Sequence, residues 1–468
     1  MQLKRRKMSR GVAPALGLLT ANLLLATAAL ADPLGPAAPP PVANANINDD
    51  TETDLGLTRV DSAVLFYHEA NGRVQTTEPM ISVAFNSEDG DVLSVKLTSD
   101  TLTGATPNGA APWKQAQTFT TPAQAPGSTA VVTSASGGSS LVTLPGTGTV
   151  VRQYTTPAHQ LPTDTGFRDQ RYAVDAGYSM QWSPESRVSI GGSVSTERDY
   201  RSGSINAGYS RDLFEKNTTV SVGLNLEFDQ SRPYFGTPTP LTVMSGDAKG
   251  GNKSKTVQNI VIGVTQVMNR IWLANLNYSA GQSDGYQTDP YRIISVVDPV
   301  TGGPTQYLYE SRPSSRFRQS LYMGNKIALG PTFADVSVRA YHDSWGINSI
   351  TAEINERIPL LSWIYLEPQA RYYSQTAATF FHDYLVSGQP LPTYASSDSR
   401  LGKFSATTLG LKLGIKTGST SEFYMLAENY KQSGKSTNPN AIGDLASENL
   451  FSGVNATSLV VGFTFAFR

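Results

Sequence analysis

The sequence contains no cysteine among its 468 residues. This absence excludes disulfides, thiolate metal sites, a lipoprotein anchor and covalent haem attachment. Net charge is also nearly absent, at −1, and no basic tract follows the N-terminal segment. We therefore expect no nucleic acid partner, because neutralising phosphates requires clustered Lys and Arg. Hydrophobic residues make up only 39% of the chain, and beyond the N-terminal segment the pattern contains no convincing amphipathic helix.

The N-terminus has the pattern of an export signal. Five of its first ten residues are basic, and an apolar run from Gly11 to Leu30 ends in Ala29-Leu30-Ala31 before Asp32. We predict a cleaved secretory signal peptide over residues 1–31. A single membrane anchor is the alternative, since the run approaches spanning length. Residues 32–57 are rich in Pro, Ala, Asn and acids, which predicts a flexible acidic periplasmic tether.

Alternation with a period of two dominates the rest of the chain. In NTTVSVGLNLEFD, residues 217–229, one parity is almost entirely apolar and the other is polar or glycine. This period indicates a β-strand with two different faces. The same pattern recurs in RYAVDAGYSMQW (171–182), IWLANLNYSA (271–280) and TTLGLKLGI (407–415). Tilted strands of about ten residues are the length needed to cross a bilayer.

The connections between these strands alternate in length. The short turns are SEDGD (87–91), SPES (183–186), LFEKN (213–217), MNR (268–270), LGPT (329–332), PLLS (359–362) and TGSTS (417–421). Longer polar connections include 229–255, 283–315, 375–400 and 432–455. Outer-membrane barrels have short periplasmic turns and long extracellular loops. We predict an all-β, transmembrane, antiparallel up-and-down β-barrel of about 16 strands over residues 58–468, in the outer membrane of a Gram-negative bacterium.

The segment 101–169 is low in charge and rich in Thr, Ser, Ala, Gly and Pro. It is predicted to be a long low-complexity extracellular loop or hairpin. If a hairpin over 128–144 joined the wall, the strand count would rise by two.

In such a barrel the apolar face meets lipid and the polar face lines a water-filled lumen, where charged side chains avoid the desolvation cost of an apolar core. The candidate lumen-lining charges are Arg171, Asp175, Glu227, Asp335, Arg339, Glu353, Arg357, Glu367, Arg371 and Lys412. Opposite charges on adjacent strands can form cross-strand ladders. These ladders either select solutes by charge or only stiffen the wall, and the sequence leaves both interpretations open.

Aromatic residues are predicted to mark the membrane interface. Trp182 and Trp272 lie beside short turns, and Phe467 ends the apolar parity of the final segment TSLVVGFTFAFR (457–468). These three residues form the candidate aromatic girdle. The final segment resembles the signal read by the barrel-assembly machinery, although Arg468 follows the aromatic residue.

No catalytic, cofactor-binding or metal site is predicted, and the protein is not expected to be an enzyme. His342 and Asp343 are adjacent, so on a strand they point to opposite faces and cannot pair simply. Their surroundings favour a tight extracellular turn, and replacing His342 by Ala should leave any activity intact. His382 and Asp383 have no partner at a recognised metal-ligand spacing.

Several segments together resemble a known family. They are GVTQVM (263–268), SDGYQTDPYRII (283–294), ESRPSSRFRQSL (310–321), YHDSWGINSITAEI (341–354), RYYSQTAATFF (371–381) and SSDSRLGKFSATTLGLKLG (396–414). From about Val60 to the C-terminus the chain resembles the proteobacterial outer-membrane β-barrel family known as domain of unknown function 3570. The resemblance implies a barrel and brings no catalytic or binding residues with it.

The leading functional prediction is a porin-like or weakly selective channel for small solutes, because a barrel of this size is wide enough for water. One alternative is a scaffold barrel that sheathes or docks an exported protein or an electron-transfer partner. An outer-membrane hydrolase is the third hypothesis. The expected partners are outer-membrane lipid and lipopolysaccharide, the barrel-assembly machinery, and a periplasmic or exported protein.

Overall fold

The computed structural model describes residues 56–122, 133–134, 137–143, 150–244, 250–435, 438 and 440–467. The predicted signal peptide, residues 1–31, lies outside the described residues, as does the predicted tether over 32–57 apart from Gly56 and Leu57. Among the described residues, no helix is long and apolar enough to cross a membrane.

The described chain is built from β-strands, with short 3-10 turns at Ser399–Leu401 and Gly443–Ser447. In chain order the strands are β1 Thr58–Glu69, β2 Gln75–Asn86, β3 Val92–Pro107, β4 Gln117–Pro122, β5 Thr133–Ser134, β6 Gly137–Thr143, β7 Val150–Thr156, β8 Thr163–Ser183, β9 Ser186–Thr196, β10 Tyr200–Leu213, β11 Thr218–Ser231, β12 Lys253–Asn269, β13 Trp272–Gly285, β14 Ile293–Val297, β15 Pro304–Tyr309, β16 Ser315–Leu329, β17 Thr332–Asp343, β18 Asn348–Leu361, β19 Ile364–Gln375, β20 Leu385–Val386, β21 Phe404–Lys416, β22 Ser421–Gly434 and β23 Asn455–Phe467.

Sixteen of these strands close into one antiparallel barrel. Their order around the wall is β1-β2-β3-β8-β9-β10-β11-β12-β13-β16-β17-β18-β19-β21-β22-β23. The first and last strands pair from Thr58 with Phe467 to Glu69 with Ala456, so the sheet has no free edge. The predicted fold class and the strand count of about 16 are confirmed.

The long connections all lie at one end of the barrel, as predicted, although three connections at that end are also short: 70–74, 197–199 and 344–347. The predicted short turns lie at the other end, where they join β2 to β3, β8 to β9, β10 to β11, β12 to β13, β16 to β17, β18 to β19 and β21 to β22. Both chain ends of the wall lie at this same end, which is the periplasmic end of such barrels. The long connections lie at the opposite, extracellular end.

The two faces of the wall differ in how exposed their side chains are. On β11, Leu224 is 52% exposed whereas the next residue, Asn225, is 8% exposed and accepts a hydrogen bond from Asn259 on β12. Phe228 and Leu226 continue the exposed apolar face. Because apolar side chains cover the outside and polar ones the inside, the barrel spans the outer membrane.

The long segment after β3 is shorter than the predicted 101–169. β3 continues to Pro107 and β8 begins at Thr163, because Thr-rich sequence extends both strands beyond the apolar belt. β5 and β6, within the predicted hairpin over 128–144, pair in a separate four-stranded sheet of order β4-β7-β6-β5, so they add no strand to the wall. A second small sheet has the order β15-β14-β20.

Candidate functional site in the barrel lumen

The inward face of the wall is the candidate site. All of the predicted lumen charges lie on the strand parity that faces away from the exposed apolar side chains: Arg171, Asp175, Glu227, Asp335, Arg339, Glu353, Arg357, Glu367, Arg371 and Lys412. Period-two alternation positions them, because every second side chain of a strand shares one face.

Charge is distributed unequally around the lumen. Inward carboxylates on β2, β3, β8 and β11, between the second and seventh places in the strand order, are Glu78, Asp100, Asp175, Glu227 and Asp229. Inward guanidinium groups on β16 to β19, in the tenth to thirteenth places, are Arg316, Arg318, Arg339, Arg357 and Arg371. The two groups lie on opposite sides of the barrel, but neither side carries one sign alone. Lys96, Arg171 and Arg187 also face inward on the first side, and Asp335, Asp343, Glu353 and Glu367 on the second.

Several of these charges form ion pairs between neighbouring strands. Nε of Arg171 lies 2.6 Å from Oδ2 of Asp100. Nε of Arg357 lies 3.0 Å from Oε2 of Glu367. The ladder continues in register, because Glu367 is the cross-strand partner of Lys412 on β21. In each pair the two side chains are held at the wall, and their opposite charges neutralise each other locally.

Arg339 and Arg371 differ from the arginines above. Within the described ranges, neither guanidinium has an ion pair or a hydrogen bond. The Arg339 guanidinium lies over the ring of Tyr322, 5.4 Å from its centroid. Glu353 is the cross-strand partner of Arg371, but its Oε1 accepts a 3.1 Å hydrogen bond from Asn355 instead. Two guanidinium groups are therefore available to a ligand in the lumen.

Glycine on the inward face makes room for tyrosine rings to lie flat against the wall. A Cβ at Gly414 would collide with the Tyr365 ring, and one at Gly462 would collide with the Tyr424 ring. Each tyrosine is the direct cross-strand partner of the glycine that it covers. Rings placed in this way take up little of the lumen's width.

The sequence argument missed part of the lumen. Glu78 and Asp100 lie beside Arg171, and Arg316 lies 2.6 Å from Asp343 through Nη2 and Oδ2. Extending the period-two pattern through β2, β3 and β16 would have placed these residues on the inward face.

The extracellular loops form a folded cap. We define the cap as the described parts of residues 108–162, 232–252, 286–314, 376–403 and 435–454. It contains apolar clusters of its own, one of which combines Phe119 and Tyr154 with Ile293 and Tyr309. Such cores form only when loops from different parts of the wall meet.

One cap segment lies at the mouth of the barrel. The backbone N–H of Ile293 donates to the carbonyl of Asn108, at 2.9 Å, and Nη1 of Arg292 donates to the carbonyl of Pro107, also at 2.9 Å. Pro107 ends β3, the third strand of the wall, whereas Arg292 follows β13, the ninth. Loops that leave strands six places apart in a ring of sixteen can meet only by reaching far from their own strands, which brings cap residues to the mouth of the barrel.

A buried ionic cluster joins two of the cap loops. Nε of Arg312 lies 2.6 Å from Oε1 of Glu310, and Nη2 donates to Oδ2 of Asp398 at 3.0 Å. Burial by itself would raise the pKa of Asp398, but the guanidinium groups of Arg292, Arg400 and Arg312 hold that pKa well below its usual range. Asp289 pairs with Arg292 and Arg400, so three carboxylates balance the three guanidinium groups, as buried ions require.

The candidate girdle residues lie near the periplasmic turns. Trp182 is 69% exposed beside the β8–β9 turn, and Phe467 is exposed at the end of β23. Trp272 is half-buried, and its indole N–H donates to Oδ1 of Asn325 on β16 at 3.0 Å. Trp363, in the β18–β19 turn, is a further exposed aromatic residue that the sequence analysis did not single out.

His342 and Asp343 do not pair with each other. His342 is exposed with Nδ1 2.8 Å from Oδ1 of Asn348, whereas Asp343 faces inward and pairs with Arg316. Burial lowers the pKa of His382 in the cap, and the neighbouring Asp383 opposes that shift. In the part of the chain that the structure describes, no group of three or more His, Asp or Glu residues is placed to hold a metal ion.

Solved structures resemble the chain only distantly. No curated protein sequence matches the chain. A bacterial polysaccharide outer membrane secretin has a TM-score of 0.43 and 9% identity, covering 88% of this chain and 99% of that one. Pseudomonas aeruginosa OccK2 in complex with glucuronate has a TM-score of 0.36 and 8% identity, covering 88% and 98%. A mutant of the ferric enterobactin receptor of Pseudomonas aeruginosa has a TM-score of 0.38 and 9% identity; the match covers 87% of this chain but only 59% of the receptor.

A family model provides the sequence-level match. It covers residues 21–465, which is essentially the whole chain. The chain belongs to the family described as protein of unknown function DUF3570.

Proposed function

We propose that the protein is an outer-membrane channel for small polar solutes, weakly selective by charge. The observation that carries this proposal is the contrast between the two faces of a closed sixteen-strand wall, with Leu224 exposed outside and Asn225 inside. A barrel of this size encloses a lumen that is wide enough for water and small solutes. A polar inward face keeps such a lumen hydrated.

The distribution of inward charge supports selectivity. Carboxylates such as Asp175 and Glu227 lie across the lumen from Arg339 and Arg371. Opposed charges in a channel create a transverse field, which orders water and separates solutes by charge and dipole. Ion pairs such as Arg357–Glu367 also stiffen the wall, so the ladder serves both purposes.

The cap supports control at the extracellular side. The segment around Arg292 and Ile293 lies at the mouth, so solutes enter past or through folded loops rather than through an open rim. Movement of the cap would then change conductance without any change in the wall.

Planar-bilayer recording of the purified mature protein tests the proposal. We expect discrete conductance steps that grow larger or more frequent when the cap is loosened by Arg312→Gln. A barrel that remains silent in both forms, while heat-modifiable mobility on gels shows that it is folded, would refute a channel. That result would instead favour a scaffold that docks a protein partner.

A further inference from the structure

We propose that Arg339 and Arg371 form a binding site for the carboxylate of a small monoanionic solute. This inference rests on the proposed channel function and identifies the class of solute that the lumen prefers. It begins from a difference among inward arginines: Arg171, Arg316 and Arg357 are each held by a carboxylate, whereas Arg339 and Arg371 are not paired within the described ranges.

The strand register brings the two arginines to one place. Arg339 on β17 is the cross-strand partner of Thr351 on β18, and Arg371 on β19 is the partner of Glu353 on the same strand. Both arginines therefore flank β18, on strands roughly 10 Å apart since adjacent strands are separated by about 4.8 Å. Long guanidinium side chains from the two sides can reach a ligand that lies over Thr351.

Stacking orients one of the two arginines. The Arg339 guanidinium lies 5.4 Å from the centroid of the Tyr322 ring. A guanidinium attracted to an aromatic ring does not spend its N–H donors on that contact, and these donors match the two oxygens of a carboxylate. On the other side, the hydroxyl of Tyr373 donates to Oε1 of Gln375 at 2.6 Å, so it is already engaged. The guanidinium groups are thus the charged donors at this position.

The charges around the site favour an anion with a single charge. The two guanidinium groups lie near the Glu353 and Glu428 carboxylates, which accept hydrogen bonds from Asn355 and Ser458 rather than from either arginine. One carboxylate adds one negative charge to this group, whereas a phosphate dianion would add two. Arg–carboxylate bonds are charge-assisted and bidentate, which gives useful affinity even beside water.

Lactate and its neutral amide, lactamide, provide a matched pair of probes that differ in charge and not in size. Liposomes containing the wild-type protein should admit lactate faster than lactamide. Replacing both arginines, as Arg339→Gln with Arg371→Gln, should reduce lactate entry by about tenfold, the factor that corresponds to losing one charged hydrogen bond, and leave lactamide entry unchanged. The Lys variants at the same positions, which keep the charge but lose the bidentate geometry, should fall between these values.

Arg187→Gln is the control for charge alone. Arg187 faces inward on β9, and its guanidinium donates to Oε1 of Gln181 at 2.6 Å and to the carbonyl of Gly90 at 3.0 Å, so its donors are occupied by the wall. Lactate entry should therefore remain at the wild-type rate. An equal loss in Arg187→Gln would assign the effect to overall lumen charge and overturn the site.

Lactate binding to the detergent-solubilised barrel, measured by saturation-transfer NMR, gives a readout that does not require an open channel. We expect a lactate signal with the wild-type protein and no signal with the double Gln variant. If both probes enter the liposomes equally and the NMR signal survives in the variant, the carboxylate site is wrong and the channel stands. If neither probe enters but the arginine-dependent NMR signal is present, the site stands and the channel function falls.

Discussion

Arg312 donates a 3.0 Å hydrogen bond through Nη2 to Oδ2 of Asp398, and both side chains are at most 1% exposed. The two residues lie in different loops, one between β13 and β16 and the other between β19 and β21. This pair therefore fastens together two parts of the cap that leave the wall at different places. We therefore expect this pair to help hold the cap together.

Arg312→Gln is expected to loosen the cap. Removing one partner of a buried ion pair leaves uncompensated charge and costs about 3–5 kcal/mol. Faster cleavage of residues 376–403 by an external protease, measured on intact cells or proteoliposomes, would report the loosened cap. Lys114→Gln is the control, because Lys114 pairs with Asp444 at the exposed surface, where both side chains are more than 40% exposed. Surface pairs contribute at most about 1 kcal/mol, so equal cleavage of both variants would contradict the assignment.

The cap should resist mild acid and open only in strong acid. The pKa of Asp398 is depressed in the folded state by Arg292, Arg400 and Arg312, against the effect of burial. Its stabilising contribution is therefore complete above the ordinary aspartate pKa of about 3.9 and is lost as pH falls through the depressed value. Hydrogen exchange of cap amides, corrected for the intrinsic rate, should show unchanged protection between about pH 7 and pH 5.

Asp398→Asn serves as the comparison for this pH dependence. The amide cannot balance the surrounding guanidinium groups, so protection of the cap should already be reduced at neutral pH. Opening of the wild-type cap between about pH 5 and pH 7 would point to another group, such as His382, and would contradict the role given to Asp398.

Substitutions at two adjacent residues can test which side of the wall faces lipid and which faces the lumen. Leu224→Arg places a charge on the lipid side and should cost about 2–4 kcal/mol, which impairs assembly. Asn225→Arg places the same charge in the lumen, beside Gly223 and Gly208, which leave room for a larger side chain. The folded fraction on unheated gels should fall for the first variant and not for the second. Equal losses would refute the assigned orientation.

The Arg357–Glu367 pair should stabilise the wall. The two side chains are 24% and 12% exposed, so solvent screens the pair only partly. A double-mutant cycle with Arg357→Gln and Glu367→Gln should give a coupling energy of about 0.5–1.5 kcal/mol in urea unfolding from lipid vesicles. Additive effects of the two substitutions would show that the pair contributes no coupling.

Much of the wall could be predicted from the sequence. The alternation of apolar and polar residues is enough to predict the strand from Thr218 to Ser231. The short turns at 87–91 and 417–421 also lie where the sequence predicts them. A two-residue period fixes which side chains share a face, because it depends only on local backbone geometry. For the same reason, the sequence alone predicts that Arg339 and Arg371 face inward.

The ends of the strands and the ion-pair partners were harder to predict from the sequence. β3 runs on to Pro107 and β8 starts at Thr163, because strand pairing continued through Thr-rich sequence whose composition indicated a loop. The ion pair between Arg316 and Asp343 joins β16 to β17, and it can form only in the register in which these two strands pair. Register depends on turn geometry as well as on the hydrophobic pattern, and composition alone does not encode it.

By itself, the sequence determined that the wall is a β-barrel with lipid outside and polar side chains inside, since alternation is a local property of the chain. Only the tertiary structure decided that the loops fold into a cap, that Arg312 meets Asp398 inside it, and that Arg339 and Arg371 are left without a carboxylate partner in the described wall. These arrangements arise from contacts between residues that are distant in the chain, and no local pattern specifies such contacts.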